Sequence, residues 1–204
     1  MSNDSLSRAT PEIVQEYFKW FCSFPKSISP GFYNDGDRTI EANKSSLKSD
    51  EYIFLNPALA GASHRDIGTV ERGKKMFIPS LSFIGSEFES PGADISQLYK
   101  FADVDHDSIE YRRIEIDGET LVGDLESRFR VRTEPFEVEY PDDALFGVSK
   151  GISKAVADGV YIVWEPPVGK HEIHYMGKIN LADRKDSIDS TDHVENVTYT
   201  FKVS

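Results

Sequence analysis

The sequence predicts a mainly β fold: an antiparallel β-sandwich with an N-terminal amphipathic helix and one or two further short helices. Three observations carry that expectation. Short apolar or alternating runs recur between turn residues, as in EYIFL, EPFEVEY and NVTYTFKV. Only one segment near the N-terminus has aromatic residues at helical spacing over several turns. And 204 residues with 39% hydrophobic and 12% aromatic side chains suffice for one ordinary core. A single domain is expected over 10–204, behind a disordered stretch at 1–9.

The helix is expected over 11–24. Thr10 reads as its N-cap, Pro11 as its first residue and Glu12 as an acidic first turn. Ile13, Tyr17, Trp20, Phe21 and Phe24 then share one face, and Pro25 closes the segment. That stripe is expected to dock on a sheet rather than hold a cofactor. Residues 26–50 are polar and rich in Pro, Gly, Asn and Asp, and read as a long loop.

From residue 51 the pattern turns β-like. EYIFL and KMFIPSLSFI are apolar runs, and Pro79 marks the second as an edge, bulged or bent strand. Asp94 is placed to cap a short helix over ISQLYKFA. SIEYRRIEI and ETLV are joined by Asp117-Gly118, a dipeptide that suits a two-residue hairpin. SRFRVRT and EPFEVEY alternate with period two, GISKAVADG reads as a helical turn, and VYIVWE, KHEIHYMGKI and NVTYTFKV complete the strands.

Charge narrows the partners. With 23 Lys and Arg against 35 Asp and Glu, the formal charge of −12 repels phosphate backbones and anionic lipid, so neither nucleic acid nor a membrane surface is expected. A small polar ligand, a glycan or another protein remains. Cys22, the one cysteine, can form no internal disulfide and reads as a buried structural thiol. Asn3, Asn43 and Asn196 begin sequons that matter only in a eukaryotic secretory setting. The segment MSNDSLSRATPE has no apolar core of a leader, which favours the cytoplasm for the chain as it stands; a secreted or envelope location would require that a leader had been removed.

Several groups of residues invite chemistry. In KHEIHYMGKI the histidines are three apart, so on a strand His171, Ile173 and Tyr175 face one way while Glu172, His174 and Met176 face the other. The two imidazoles therefore cannot share an ion, and Glu172 with His174 is the pair that survives. SHRD supplies His64, Arg65 and Asp66 on an expected loop, and SEFES supplies Glu87 and Glu89, spaced to face the same way on extended chain. If these segments meet the Glu172/His174 face they would form a pocket for a small polar ligand or metal. Asp103, Asp105 and Asp107 alternate like a calcium loop, but Ser108 and Ile114 stand where the EF-hand pattern needs Gly and Glu, which leaves an acidic turn that could bind a divalent cation only weakly. No organic cofactor is expected, since G-x-S-x-G, H-E-x-x-H, P-loop and G-x-G-x-x-G patterns do not occur.

The runs FKWFCSFPKSISP, YIFLNPALAGA, GKKMFIP followed by SEFES, EIDGETL, AVADGVYI and GKHEIHY are collinear with a group of sequences. In that order the chain resembles a widespread family of small, mostly uncharacterised microbial β-rich proteins. Its members carry a Trp-containing helix, a Gly-Lys before a strand with Pro, an Asp-Gly hairpin, an Ala-Asp-Gly turn and a Gly-Lys-His-x-Ile-His strand. The resemblance spans about residues 18–203. It implies a β-rich fold and little about function. Many members look exported. After Pro79 this chain has SLSF where the family has a strand ending in Asn, which leaves without support any site that asparagine would form.

Two functions follow as expectations. One is a non-catalytic ligand- or partner-binding module that presents residues 26–50, 61–74 and 85–94. The alternative is a small enzyme without organic cofactor, using His64, Glu87, Glu89, Glu172 and His174 for acid-base or metal-assisted chemistry; it requires at least three of them in one pocket.

Overall fold

The strands show two patterns, continuous apolar runs and strict alternation, and the pattern tracks whether one or both faces of the strand are covered. The computed structural model describes residues 5–32, 39–43, 51–57, 62–121, 123–180 and 193–204. Among them the strands are β1 (Leu6–Arg8), β2 (Tyr52–Phe54), β3 (Ser63–Val70), β4 (Lys75–Ser86), β5 (Ile109–Ile116), β6 (Glu119–Thr120), β7 (Arg130–Arg132), β8 (Phe136–Tyr140), β9 (Gly151–Trp164), β10 (Gly169–Ile179) and β11 (His193–Val203). The helices are α1 (Pro11–Cys22), α2 (Ile95–Asp107) and α3 (Leu125–Phe129), beside short 3₁₀ turns; residues 39–43 are helical too, so the stretch expected as a long loop holds helix and 3₁₀ turns.

In the first sheet β9 pairs on one edge with β4, which β2 joins, and on its other edge with β1, β7 and β8. The second sheet runs β3-β11-β10-β5-β6. The expected sandwich of mainly antiparallel strands is present. Two edge pairs, β2 with β4 and β3 with β11, are parallel.

Over β4 and the later part of β9 the first sheet is buried on both faces, whereas β8 and the start of β9 leave Glu137, Glu139, Ile152 and Lys154 exposed. Phe77, Tyr161 and Ala157 pack under α1, while Met76, Ile78, Ile162 and Trp164 pack against the second sheet. Strands so placed need apolar side chains at successive positions, which is why KMFIP and GVYIVW do not alternate. The second sheet buries one face only. Ile173, Tyr175, Val197, Tyr199 and Phe201 point into the sandwich, and the residues between them do not.

Several local expectations are corrected. Leu6–Arg8 are not disordered but pair with Ile162–Trp164, covering a stretch of β9 that β7 and β8 do not reach. α1 stops at Cys22 rather than residue 24, because Pro25 disfavours helix at Phe24. Its buried face is wider than the expected stripe and adds Val14 and Phe18, while Trp20 donates its indole N–H to the Ala42 carbonyl at 3.1 Å. Residues 151–159 are strand, not a helical turn, so Ala-Asp-Gly lies in the middle of β9. Alanine favours helix by itself, but Ala155 and Ala157 are squeezed between strands and α1, where small side chains suit a doubly covered sheet. α2 is capped by Asp94, whose Oδ1 accepts from Gln97 N at 2.9 Å, and continues to Asp107, so DVDHD is helix and not an acidic turn. SRF belongs to α3, and SHRD is strand, not loop.

One irregularity joins the sheets. Between Ser80 and Phe83 the register of β4 on β9 slips, and Leu81 takes φ 43. The bulge frees Leu81's amide and carbonyl from the ladder. Both are satisfied from the second sheet: Leu81 N–H donates to Glu195 Oε2 at 3.1 Å, and Arg112 Nη2 donates to Leu81 O at 3.1 Å. Glu195, Gly177 and Arg112 sit in register on β11, β10 and β5, so Gly177 is the gap between the two charged side chains. Leu81 fills it, for a Cβ on Gly177 would come 2.3 Å from Leu81 Cδ1. Beneath the bulge Gly159 plays the same part, where a Cβ would meet Ser82 Cα at 2.8 Å.

Two predictions follow from this clamp. Gly177→Ala should destabilise by about 2–3 kcal/mol and lower Tm by about 5–10 °C in thermal unfolding. Burial pushes the Glu195 carboxyl up to about 7, against the Leu81 N–H and the Arg112 and Arg65 charges, which pull it down. Below its ordinary value of 4.5 both folded and unfolded chains hold that proton; between there and about 7 only the folded chain does. The Glu195 contribution to stability is therefore full at low pH and lost as pH rises through that window, by an amount on the order of 3 kcal/mol. Urea unfolding of Glu195→Gln should show a stability difference from the parent that grows in the variant's favour from pH 5 to 8. A difference independent of pH would contradict the buried proton.

Candidate functional site

The outer face of the second sheet is a broad sheet face that neither a helix nor another sheet covers. Pairing arranges its side chains in rows. One row runs His64, Thr198, His174, Glu115, Thr120; the next runs Asp66, Thr200, Glu172; a third, at the end of the sheet, runs Thr69, Lys202, Lys170. Alternation along β3, β10 and β11 puts all of them on the same side.

The expectation for KHEIHYMGKI holds: His171 is buried and His174 faces outward. Each is held on both ring nitrogens. His174 has Glu115 Oε2 at 3.2 Å from Nδ1 and Asn196 Oδ1 at 2.9 Å from Nε2. The Arg113 hydrogen bond first, then those of Thr120 and His174, holds the Glu115 carboxyl below the ordinary carboxylate range. Glu115 thus accepts from His174 Nδ1, the orientation a base needs, but an asparagine stands where a substrate proton would be.

His171 lies at the end of the sheet, 2.9 Å from Asp117 Oδ2 through Nδ1 and 2.7 Å from the Pro167 carbonyl through Nε2. Its ring meets Trp164 edge-on at 5.2 Å. This His-Asp pair has its second nitrogen spent on a backbone carbonyl, so it ties the Asp117 hairpin to the Pro167 turn instead of offering a base. Asp117, at φ 53, also accepts from the Glu172 amide at 2.9 Å, in the Asp117-Gly118 hairpin expected from the sequence.

Two concavities adjoin at this end and share Asp117. One, of about 790 Å³, is lined by Asp66, Thr69, Lys170, Glu172, Thr200 and Lys202 among others. The other, of about 860 Å³, lies on the far side of the Pro167 turn beside Arg72, Lys75 and Glu165.

The sequence candidates are therefore divided. His64, Glu172 and His174 share the outer face, but His64 and His174 are two strands apart, about 9.6 Å. Arg65 points the opposite way and is 1% exposed. Its guanidinium donates to the Asn56 carbonyl at 3.0 Å, to Tyr199 OH at 2.6 Å and, more weakly, to Pro57 and Gly31 carbonyls, stapling chain segments rather than lining a pocket. Glu87 and Glu89 follow β4 in the first sheet, where Glu87 N bonds Lys154 O and Glu89 accepts from the Ser86 hydroxyl at 2.8 Å. They do not join the outer face, because β4 belongs to the inner layer. The three-residue convergence required for an acid-base pocket is not formed.

Asp103 is taken by Arg130 at 3.2 Å and by Arg132. Both arginines also bind Asp158: burial would raise that carboxyl, yet their hydrogen bonds and charges hold it below its ordinary value. The side chains of Asp105 and Asp107 lie outside the described residues. Positions two apart on a helix do not share a face, so the alternation in DVDHD does not build a calcium loop. Among the described residues no three His, Cys, Asp or Glu side chains are placed to hold one ion. Cys22 is fully buried, and burial pushes its thiol well up, as expected of a structural cysteine.

Sequence reasoning singled out Asp66 in SHRD but missed Lys170, Lys202 and Thr200, and read Asp117 only as a hairpin residue. The alternation of KHEIHYM and TYTFKV places Lys170 and Lys202 on polar faces, but only the register sets them opposite one another.

No family model and no curated protein matches the chain. A solved structure titled "Solution Structure of Amebosin" is similar at 12% identity, covering 70% of this chain and all of that one, with a TM-score of 0.20, too low to carry an argument.

The two kinds of histidine separate in a stability test. His171→Ala, which strips partners from Asp117 and Pro167, should cost about 1–3 kcal/mol in urea unfolding. His64→Ala, exposed and without a hydrogen bond among the described residues, should change stability by no more than about 0.5 kcal/mol.

Proposed function

We propose that the protein is a non-catalytic binding module that takes a small polar ligand on the outer face of its second sheet, in the concavity bounded by Asp66, Lys170, Glu172 and Lys202. One observation carries this reading: charged side chains that the fold does not use converge on a concavity at the end of a rigid sheet. Lys170, Lys202 and Glu172 are exposed and form no ion pair among the described residues. Elsewhere on the same face the charges are spent on one another, as Arg113 on Glu115 at 2.6 Å and Lys178 on Glu110 at 2.7 Å.

A β scaffold suits this role, since side chains on paired strands are held at set spacings before any ligand arrives. The histidines with acidic partners work against a catalytic reading, because both nitrogens of each ring are engaged. The charge of −12 disfavours nucleic acid and anionic membranes as partners. Among the described residues no helix is long and apolar enough to cross a membrane.

The test is amide chemical-shift mapping of the folded chain with a panel of neutral and charged small polar molecules. Saturable shifts are expected at residues 66–69, 117, 170–172 and 200–202. Saturable shifts confined to another surface, or turnover of a panel compound, would overturn the reading.

A further inference from the structure

From the pairing of Lys170 with Lys202 we infer that the ligand is an anionic, hydroxyl-bearing molecule of about one sugar ring, its carboxylate or phosphate seated between the two lysines and its hydroxyls on Glu172, Asp66 and Thr200. The inference rests on the reading of this face as a binding surface and adds the ligand's chemistry.

Lys170 and Lys202 are direct cross-strand partners on β10 and β11, so their Cα atoms stand about 5 Å apart with both side chains on the same face. Like charges so placed repel, and a folded chain gains nothing from them unless an anion answers both. Neither lysine has a carboxylate within ion-pair distance among the described residues, in a chain whose formal charge is −12. Thr69 pairs with Lys202 on the other side and brings a hydroxyl to the row. Two ammonium groups and a hydroxyl form a seat for a carboxylate or a phosphate.

The neighbouring row has the opposite character. Glu172 and Asp66 flank Thr200, two residues from the lysine row along β10 and β11 and three along β3, whose register shifts there. The two-residue offset is about 6.8 Å, which is the span of a single sugar ring. Exposed carboxylates accept hydrogen bonds from ligand hydroxyls and repel a second anionic group, so the rows together select a molecule with one anionic end and one polyol end. Gly68, with φ 69 and its N–H bonded to Asp66 Oδ1 at 2.9 Å, turns the Asp66 carboxylate along the edge of the concavity. Asp117, which also lines the concavity, is already held by His171 and the Glu172 amide.

The experiment titrates the full chain by calorimetry and amide shifts with glucuronate, glucose 6-phosphate, inorganic phosphate and glucose, at low and high salt. Glucuronate or glucose 6-phosphate should bind at this face, and the better of the two identifies the anionic group. Binding should weaken at least tenfold in Lys170→Gln/Lys202→Gln and fall with salt, while Glu172→Gln should bring glucose 6-phosphate nearer to inorganic phosphate in affinity. All three positions are exposed, and unchanged thermal unfolding of the variants checks that the fold is intact. If glucose binds as well as its acids and the lysine variant binds normally, the anion seat is wrong while the binding face stands. If inorganic phosphate binds as tightly as glucose 6-phosphate, the polyol half is wrong. If no probe shifts this face, the inference is overturned, and shifts confined elsewhere would overturn the binding face as well.

Discussion

The bulge at Leu81, held between Glu195 and Arg112 over Gly177, is the constraint on which the sandwich depends. Two stacked sheets are joined mainly by apolar packing, which resists separation but sets position only loosely. Hydrogen bonds from one sheet to the freed backbone of the other are directional. Because Glu195 and Arg112 lie on different strands of the second sheet and grip the two sides of one residue in the first, β11 and β5 cannot slide independently past β4. Arg112 passes the connection outward, through Glu126 at 2.7 Å to α3, and Glu126 faces Arg130 of β7. A buried carboxylate and a buried guanidinium are costly to desolvate, and here each is spent on a backbone group that would otherwise be unpaired.

The consequences reach the outer face. Side chains on one strand alternate, so a slip of one residue in β11 against β10 would turn Thr198, Thr200 and Lys202 inward. The register that sets Glu195 beside Gly177 is the same one that sets Lys202 opposite Lys170 and Thr198 opposite His174. The interior clamp and the exterior rows are thus two faces of one alignment. The first sheet is covered by α1 on one side and, over β4 and the later part of β9, by the second sheet on the other, and charged residues within it serve the fold. Asp158, for instance, is fully buried and carries Arg130 and Arg132.

Much of the fold was legible because its signals are local. The cap at Thr10, the stop at Pro25, the Asp94 cap and the Asp117-Gly118 hairpin each follow from a few adjacent residues. Alternation in β8, β10 and β11 was readable for the same reason: one buried face imposes period two. The misread segments were those where the environment overrides local preference. GISKAVADG has helix-compatible alanines, but paired with β8, β7 and β4 and buried from Ala155 onward it is strand. SHRD reads as a polar loop, yet it is an edge strand with Arg65 turned into the interior, where backbone carbonyls and Tyr199 replace the water an arginine normally keeps.

By itself the sequence determined the class of fold, the helix and its docking face, and the opposite orientation of His171 and His174, because these depend on periodicity and capping within a dozen residues. Only the tertiary structure decided which polar residues stand together. His64 joined Glu172 and His174 on one face while Glu87 and Glu89 went to another layer, and Lys202 met Lys170 across more than thirty residues of chain. The physical reason is that side-chain direction is written in the local pattern, whereas neighbourhood is set by strand order and register. Those follow from long-range pairing and from one interlayer clamp, whose glycine, glutamate and arginine carry no common signature along the chain.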